Sequence, residues 1–161
     1  VFFPSYTVMN SCLDHWRASG VWERIAKWKA PVVEPRESSM FNSVIQDFAS
    51  RLEMPGSTGA VFFAVCRGKL SEGLDFADRA GRAVILTGIP FAMRVDPKVR
   101  LKREFMDEQQ RRHRSNPEMP TLGGDAWYVQ TAMRAVNQAV GRVIRHKSDF
   151  GAIILADERF A

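Results

Sequence analysis

The run AVFFAV, residues 60–65, decides the fold class. Six consecutive apolar residues with paired aromatics and valines are strand-like, and they lack the apolar/polar alternation of a strand with one wet face. A continuous apolar run of this length predicts a strand buried on both sides, as in parallel sheets covered by helices. Turn chemistry brackets it, with PGSTG at 55–59 before and the glycine-punctuated CRGKLSEGLDF at 66–76 after. VFF at 1–3, ending at Pro4, AVILTGIP at 83–90 and GAIILA at 151–156 repeat the pattern, and PVVEP at 31–35 is a shorter strand between prolines.

The segments between these runs have helical periodicity. Residues 10–29 carry Trp16, Val21, Trp22 and Ile25 as apolar anchors, with a break near Gly20. Ser38 and Ser39 are placed to cap a helix bearing Phe41, Val44, Ile45, Phe48 and Leu52. Residues 96–114 predict a highly charged helix, and a loop at 115–124 leads to a long helix from about Asp125 to about His146. Buried strands alternating with amphipathic helices give one α/β domain: a parallel sheet with helices on both faces. The length of 161 residues suits a single core.

Composition narrows the partners. A net charge of +5 and a pI of about 9.6 point to an anionic partner, with nucleic acid first among candidates. No apolar run approaches the roughly 20 residues that span a bilayer, so no membrane partner is expected. VFFPSY lacks the build of a signal peptide and an initiator Met, so the chain is expected to be a piece of a longer protein. Cys12 and Cys66 form no CxxC and are expected to be small buried hydrophobes; His15, His113 and His146 are scattered, so no metal site is expected.

Ligands of such a sheet bind beyond the strand ends, and three segments lie there. PSY after the first strand offers the hydroxyls of Ser5 and Tyr6. CRGKLSEGLDF after AVFFAV supplies Arg67, Gly68, Lys69, Glu72, Gly73 and Asp75. The third is the long helix, where Gln138, Gly141, Arg142 and Arg145 fall at i, i+3, i+4 and i+7 and share one face. Met133, Val136, Val140, Val143 and Ile144 form a second, apolar face. An amide and two guanidiniums around a glycine suit a phosphate, because the planar arginine fork stays charged and bonds two oxygens at once.

GKLS at 68–71 is not a P-loop: Leu70 stands where Ser or Thr must follow the lysine, and the upstream glycine is missing. IILADE at 153–158 imitates a magnesium-binding strand end, but without a P-loop Asp157 is expected to be a structural or coupling residue. In 96–114, Lys98, Arg100, Lys102, Arg103, Arg111, Arg112 and Arg114 could extend a nucleic-acid path. Glu104, Asp107 and Glu108 among them favour a solvated face with i,i+4 pairs. Trp127 and Tyr128 are expected in the core.

These motifs carry a resemblance. QAVGRVIRH at 138–146 resembles motif VI (QxxGRxxR) of superfamily 2 helicases, CRGKLSEGLDF resembles motif V, and FFPSY resembles motif IV, all in the right order. The spellings are similar to the iron–sulfur DNA helicases of the xeroderma-pigmentosum-D type. VEPR, PGSTGA, AVCRGK, DPKVRLK and AVNQAVGRVIRH resemble the telomere-regulating branch of that group most, with the Fanconi anaemia J type next.

The resemblance implies that residues 1–161 are the second RecA-like motor domain, a P-loop NTPase-type C-terminal helicase domain, of a 5′-to-3′ DNA helicase. It implies that Arg142 and Arg145 reach the γ-phosphate of ATP across an interdomain cleft, with Gln138 beside it. Gly73 and Asp75, with Glu72, would lie near the ribose and the coupling network. Arg67, Gly68 and Lys69, with Ser5 and Tyr6, would lie on the nucleic-acid side. ATP and Mg²⁺ would be held mainly by the first domain of the same protein, and a 4Fe-4S cluster would belong to the parent protein only. Single-stranded DNA and that first domain are the implied partners, no oligomer is implied, and the location is nuclear. The chain alone would not hydrolyse ATP. A non-catalytic binding module of the same fold and the equivalent half of an RNA helicase are the alternatives; the intact QxxGRxxR argues against the first and the SEGLDF spelling against the second.

Overall fold

A computed structural model describes residues 1–68, 80–113, 121–144 and 146–161. The strands are β1 (Phe2–Phe3), β2 (Ala30–Val33), β3 (Ala60–Val65), β4 (Ala83–Leu86) and β5 (Ala152–Leu155). They form a five-stranded sheet in the order β2-β3-β1-β4-β5. Every pairing is parallel, with Phe3 opposite Val65, Val33 opposite Phe63 and Leu86 opposite Leu155. The helices are α1 (Tyr6–Ala18), α2 (Val21–Ala26), α3 (Phe41–Glu53), α4 (Pro97–Arg112) and α5 (Gly124–Val140).

Strand side chains alternate across the sheet, and each face has its own core. On one face Phe3, Phe63 and Val65 meet Met9 and Leu13 of α1, with Trp16, Trp22 and Ile25 packed around them. The Trp16 and Trp22 rings lie 5.8 and 5.7 Å from the Phe63 ring. On the other face Phe2, Phe62, Ala64, Cys66, Val84 and Leu86 meet Phe41 and Phe48 of α3 and Val136, Ala139 and Val143 at the end of α5. Truncating Phe3 or Phe63, both essentially fully buried, to Ala would remove roughly 3–5 kcal/mol each. The expected α/β sheet with helices on both faces is therefore present.

Four expectations are corrected. Ser38 and Ser39 do not cap α3: they form a 3₁₀ turn, Ser38–Met40, and α3 begins after Met40 without a side-chain cap. The long helix ends at Val140, not near His146. Beyond it Arg142 N–H and Val143 N–H donate to Ala139 and Val140 carbonyls three residues back, at 3.2 Å each. That tighter winding turns Val143 into the core, where it is 1% exposed, while Ile144 stays half-exposed instead of joining the apolar face. Finally, β5 is not buried on both sides. As the edge strand it leaves Ile153, Ile154 and Leu155 more than 40% exposed.

The charged helix forms as expected. Asp96 caps α4 by accepting the N–H groups of Lys98 (2.8 Å) and Val99 (3.3 Å), with Pro97 in the first turn. It has no buried residue, and its packing partner is α5.

Candidate functional site

Parallel strands bring their carboxyl ends to one edge of the sheet, and the segments after β2, β3 and β1 meet there side by side. β1 runs out at Pro4, where Ser5 caps α1 by accepting the N–H of Val8 at 3.2 Å. A hydroxyl that accepts in this way keeps its proton to donate elsewhere. Tyr6 opens α1, half-buried, with the Arg36 guanidinium 5.4 Å from its ring centroid. Burial and then the Glu34 charge push the Tyr6 phenol above its ordinary pKa, and Arg36 works against them.

Glu34 follows directly on β2. Its own N–H donates to Phe63 O at 2.8 Å, which prolongs the ladder by one residue and pins its backbone. Its side chain is 3% exposed, and a carboxylate oxygen accepts the N–H of Val65 at 2.7 Å. A buried carboxylate lacking such bonds would cost several kcal/mol.

The segment after β3 is a tight turn in which Gly68 N–H donates to Val65 O at 3.0 Å. Arg67 takes φ +63°, and among the described residues it is the one non-glycine in left-handed conformation. An L-residue held there costs about 1–2 kcal/mol. Its guanidinium atom Nη2 is buried without a hydrogen-bond partner among the described residues. A buried guanidinium N–H without an acceptor on a strained turn has the chemistry to take an anion. Cys66, before it, is buried, and desolvation pushes its thiol up to about 11. It belongs to the core, as expected. Cys12 packs on the opposite face of the sheet, so the two sulfurs cannot ligate one iron–sulfur cluster.

Arg142 lies at the other edge. A parallel crossover helix returns the chain to where the next strand starts, so the end of α5 faces the amino ends of the strands. There Arg142 and Val143 line a cavity of about 470 Å³ together with Val1, Ala60 and Ala83, at the starts of β1, β3 and β4. Gln138, one turn earlier, is exposed. Arg142 and Gln138 are thus separated by the height of the sheet from Ser5, Tyr6, Arg67 and Gly68. Arg142 itself sits in the turn beyond α5 and not on a helical face. Lys69, Glu72, Gly73, Asp75 and Arg145 lie outside the described residues.

The remaining candidates have local roles. Arg159 beside Asp157 holds that carboxyl well below the usual range, and Asp157 also accepts the Arg159 N–H at 2.9 Å. On α4, Arg100 pairs with Glu104 and Arg112 with Glu108 at i,i+4, and Arg103 reaches Asp125 of α5 at 2.5 Å. Those arginines serve a solvated, salt-bridged helix, though exposed pairs stabilise it little. Tyr128 is buried, stacks on Phe91 at 5.2 Å and donates its hydroxyl proton to Ala92 O at 2.5 Å. Among the described residues no cluster of His, Cys, Asp and Glu could hold a metal, and no helix is long and apolar enough to cross a membrane.

Glu34 and Arg36 were not read as site residues from the sequence. The available signal was a charged residue directly after a strand-like run, in VEPR. Its meaning depends on β2 and β3 being neighbours.

The chain places Arg67 and Arg142 at opposite ends of the strands of one parallel sheet. It belongs to the helicase C-terminal domain family, whose profile matches residues 1–161. Its relatives include a regulator of telomere elongation helicase 1 homolog from Oryza sativa subsp. japonica, 57% identical over 99% of this chain and 16% of that protein. The Arabidopsis thaliana homolog is 55% identical over 99% and 16%, and the Rattus norvegicus protein 52% over 100% and 12%. Among solved structures an XPD helicase superposes with a TM-score of 0.56 at 23% identity, covering 99% of this chain and 24% of that one. The fold is RecA-like, and the chain is a helicase C-terminal domain. It spans between one eighth and one sixth of the length of these curated relatives.

Proposed function

We propose that this domain is the second motor half of an ATP-dependent 5′-to-3′ DNA helicase acting in the nucleus on telomeric or damaged DNA. In this reading the amino edge serves ATP and the carboxyl edge serves single-stranded DNA. The supporting observation is the separation of Arg142 from the Ser5–Tyr6–Arg67 cluster across the sheet. One rigid core then links a nucleotide-facing group to a strand-facing group, as a motor requires.

ATP and Mg²⁺ are held mainly by the first motor domain. Arg142 and Arg145 reach into that shared cleft, where a guanidinium beside the γ-phosphate neutralises charge that grows in the transition state. An arginine in this role is worth about 10³–10⁵ in rate. Gln138 lies beside the same phosphate, and Gly73, Asp75 and Glu72 line the ribose and couple the two edges. Across the sheet, Ser5, Arg67, Gly68 and Lys69 hold backbone phosphates, which need cations, hydroxyls and exposed N–H groups and carry no sequence information. Tyr6 offers a ring on which a base can stack whatever its identity. ATP draws the two motor domains together and hydrolysis releases them, so that each state grips the strand differently.

Partial duplexes with a 5′ or a 3′ single-stranded tail, offered to the full-length protein, test the reading. ATP-dependent unwinding from the 5′ tail, poorly competed by RNA, is the expected result. Unwinding from the 3′ tail alone, or preference for RNA, overturns the polarity or the substrate.

A further inference from the structure

Glu34 is a buried charged residue that these assignments do not use. Its carboxylate touches both ends of the turn that carries Arg67. One oxygen accepts the Val65 N–H at 2.7 Å. The other lies so close to Gly68 that a Cβ there would meet it at 2.7 Å. The turn is closed by Gly68 N–H on Val65 O, and the residue between its pinned ends is the left-handed Arg67. A strained residue persists when its surroundings over-determine it. Glu34 supplies that determination from the neighbouring strand, and Gly68 is the residue type that leaves room for the carboxylate.

We propose that Glu34 is a positioning residue. Its carboxylate clamps the Val65–Gly68 turn and thereby holds the Arg67 guanidinium where the backbone of single-stranded nucleic acid is gripped. The proposal rests on the nucleic-acid reading of the carboxyl edge given above. Glu34 acts through reach and shape, because its bond to Val65 needs an acceptor at the right distance and not a negative charge.

Two substitutions separate reach from charge. Glu34→Asp keeps the charge but withdraws it from the turn by one methylene. Glu34→Gln keeps the length and an oxygen acceptor but removes the charge. The measurement is the affinity of the full-length protein for an oligothymidylate across a salt series, for both variants, Arg67→Ala and the double variant Glu34→Asp/Arg67→Ala. Arg67→Ala should weaken binding by about tenfold and lower the slope of log affinity against log salt by about 0.7, the loss of one phosphate contact on a single strand. Glu34→Asp should reproduce both effects, the double variant should be no weaker than Arg67→Ala alone, and Glu34→Gln should stay within about twofold of wild type.

If Glu34→Asp binds as wild type, or if its loss adds in full to that of Arg67→Ala, Glu34 does not act through Arg67 and the proposal is wrong. A Glu34→Gln variant weaker than Glu34→Asp overturns it in favour of a field effect. If Arg67→Ala leaves affinity and slope unchanged, the nucleic-acid reading of this edge fails first and the positioning role falls with it.

Discussion

Gly151 makes room for the turn that carries Arg142, and replacing it should disturb one edge of the sheet and spare the other. A Cβ built on Gly151 falls 2.0 Å from Val143 Cγ1 and 3.1 Å from Arg82 O. Ordinary carbon–carbon contact is about 3.5–4.0 Å, so the first contact is short by roughly 1.5–2 Å. Val143 cannot yield easily: it is 1% exposed, and a β-branched side chain has few χ1 wells. The other side is pinned, since Ala152 N–H donates to Arg82 O at 3.0 Å and the Arg82 guanidinium bonds Asp149 at 2.7 Å and Phe150 O at 2.9 Å. Gly151→Ala should therefore cost about 1–3 kcal/mol, as overpacking against a buried side chain does. At this chain length that is a fall in Tm of roughly 3–10 °C.

Thermal unfolding followed by circular dichroism reads the cost in the 161-residue chain. Val143→Ala removes the clashing methyls, so the double variant should lose less than the sum of the single losses by about 1 kcal/mol or more. On the proposed division of the two edges, Gly151→Ala in the full-length protein should lower ATP hydrolysis through the displaced Arg142 turn while single-stranded DNA affinity stays near wild type. A Tm unchanged by Gly151→Ala, or strictly additive losses, would refute the packing argument. A parallel fall in DNA affinity would refute the separation of the two edges.

Arg67→Gly removes both the left-handed strain and the guanidinium. The fold should be unharmed or stabilised by up to about 1 kcal/mol in denaturant unfolding while single-stranded DNA binding weakens, and a variant destabilised by more than that contradicts the strain assignment. The thiols should separate by reactivity: with an aromatic disulfide reagent at pH 8, Cys12 should react in the folded chain and Cys66 only on unfolding. The Cys66 pKa is raised in the fold, so its contribution to stability is complete below about pH 9 and is lost as pH rises through about 11. Rapid native labelling of Cys66 would contradict its burial.

The parts of this molecule legible in the sequence are those where one local pattern settles the matter. AVFFAV forms β3 over 60–65 because an unbroken apolar run is what a two-sided sheet interior demands. The spacing of Phe41, Val44, Ile45, Phe48 and Leu52 marked the buried face of α3 correctly. Less legible was where a helix stops. From Gln138 onward the periodicity continues unbroken, but α5 ends at Val140 and the chain beyond it winds more tightly, with Val143 turned into the core. GAIILA carries the same apolar signature as β3 and differs only in being last in the sheet order, which periodicity does not encode. Glu34 was hidden for a similar reason: its hydrogen bond joins residues 31 apart, across neighbouring strands.

The measurement that bears most directly on the motor reading is DNA-stimulated ATP hydrolysis by the full-length protein carrying Arg142→Ala, with DNA binding assayed alongside. A loss of about a hundredfold or more with DNA affinity preserved is the predicted result. Hydrolysis near wild type would mean that Arg142 meets no transferring phosphate, and the domain would then be a nucleic-acid-binding module that has kept the RecA-like fold.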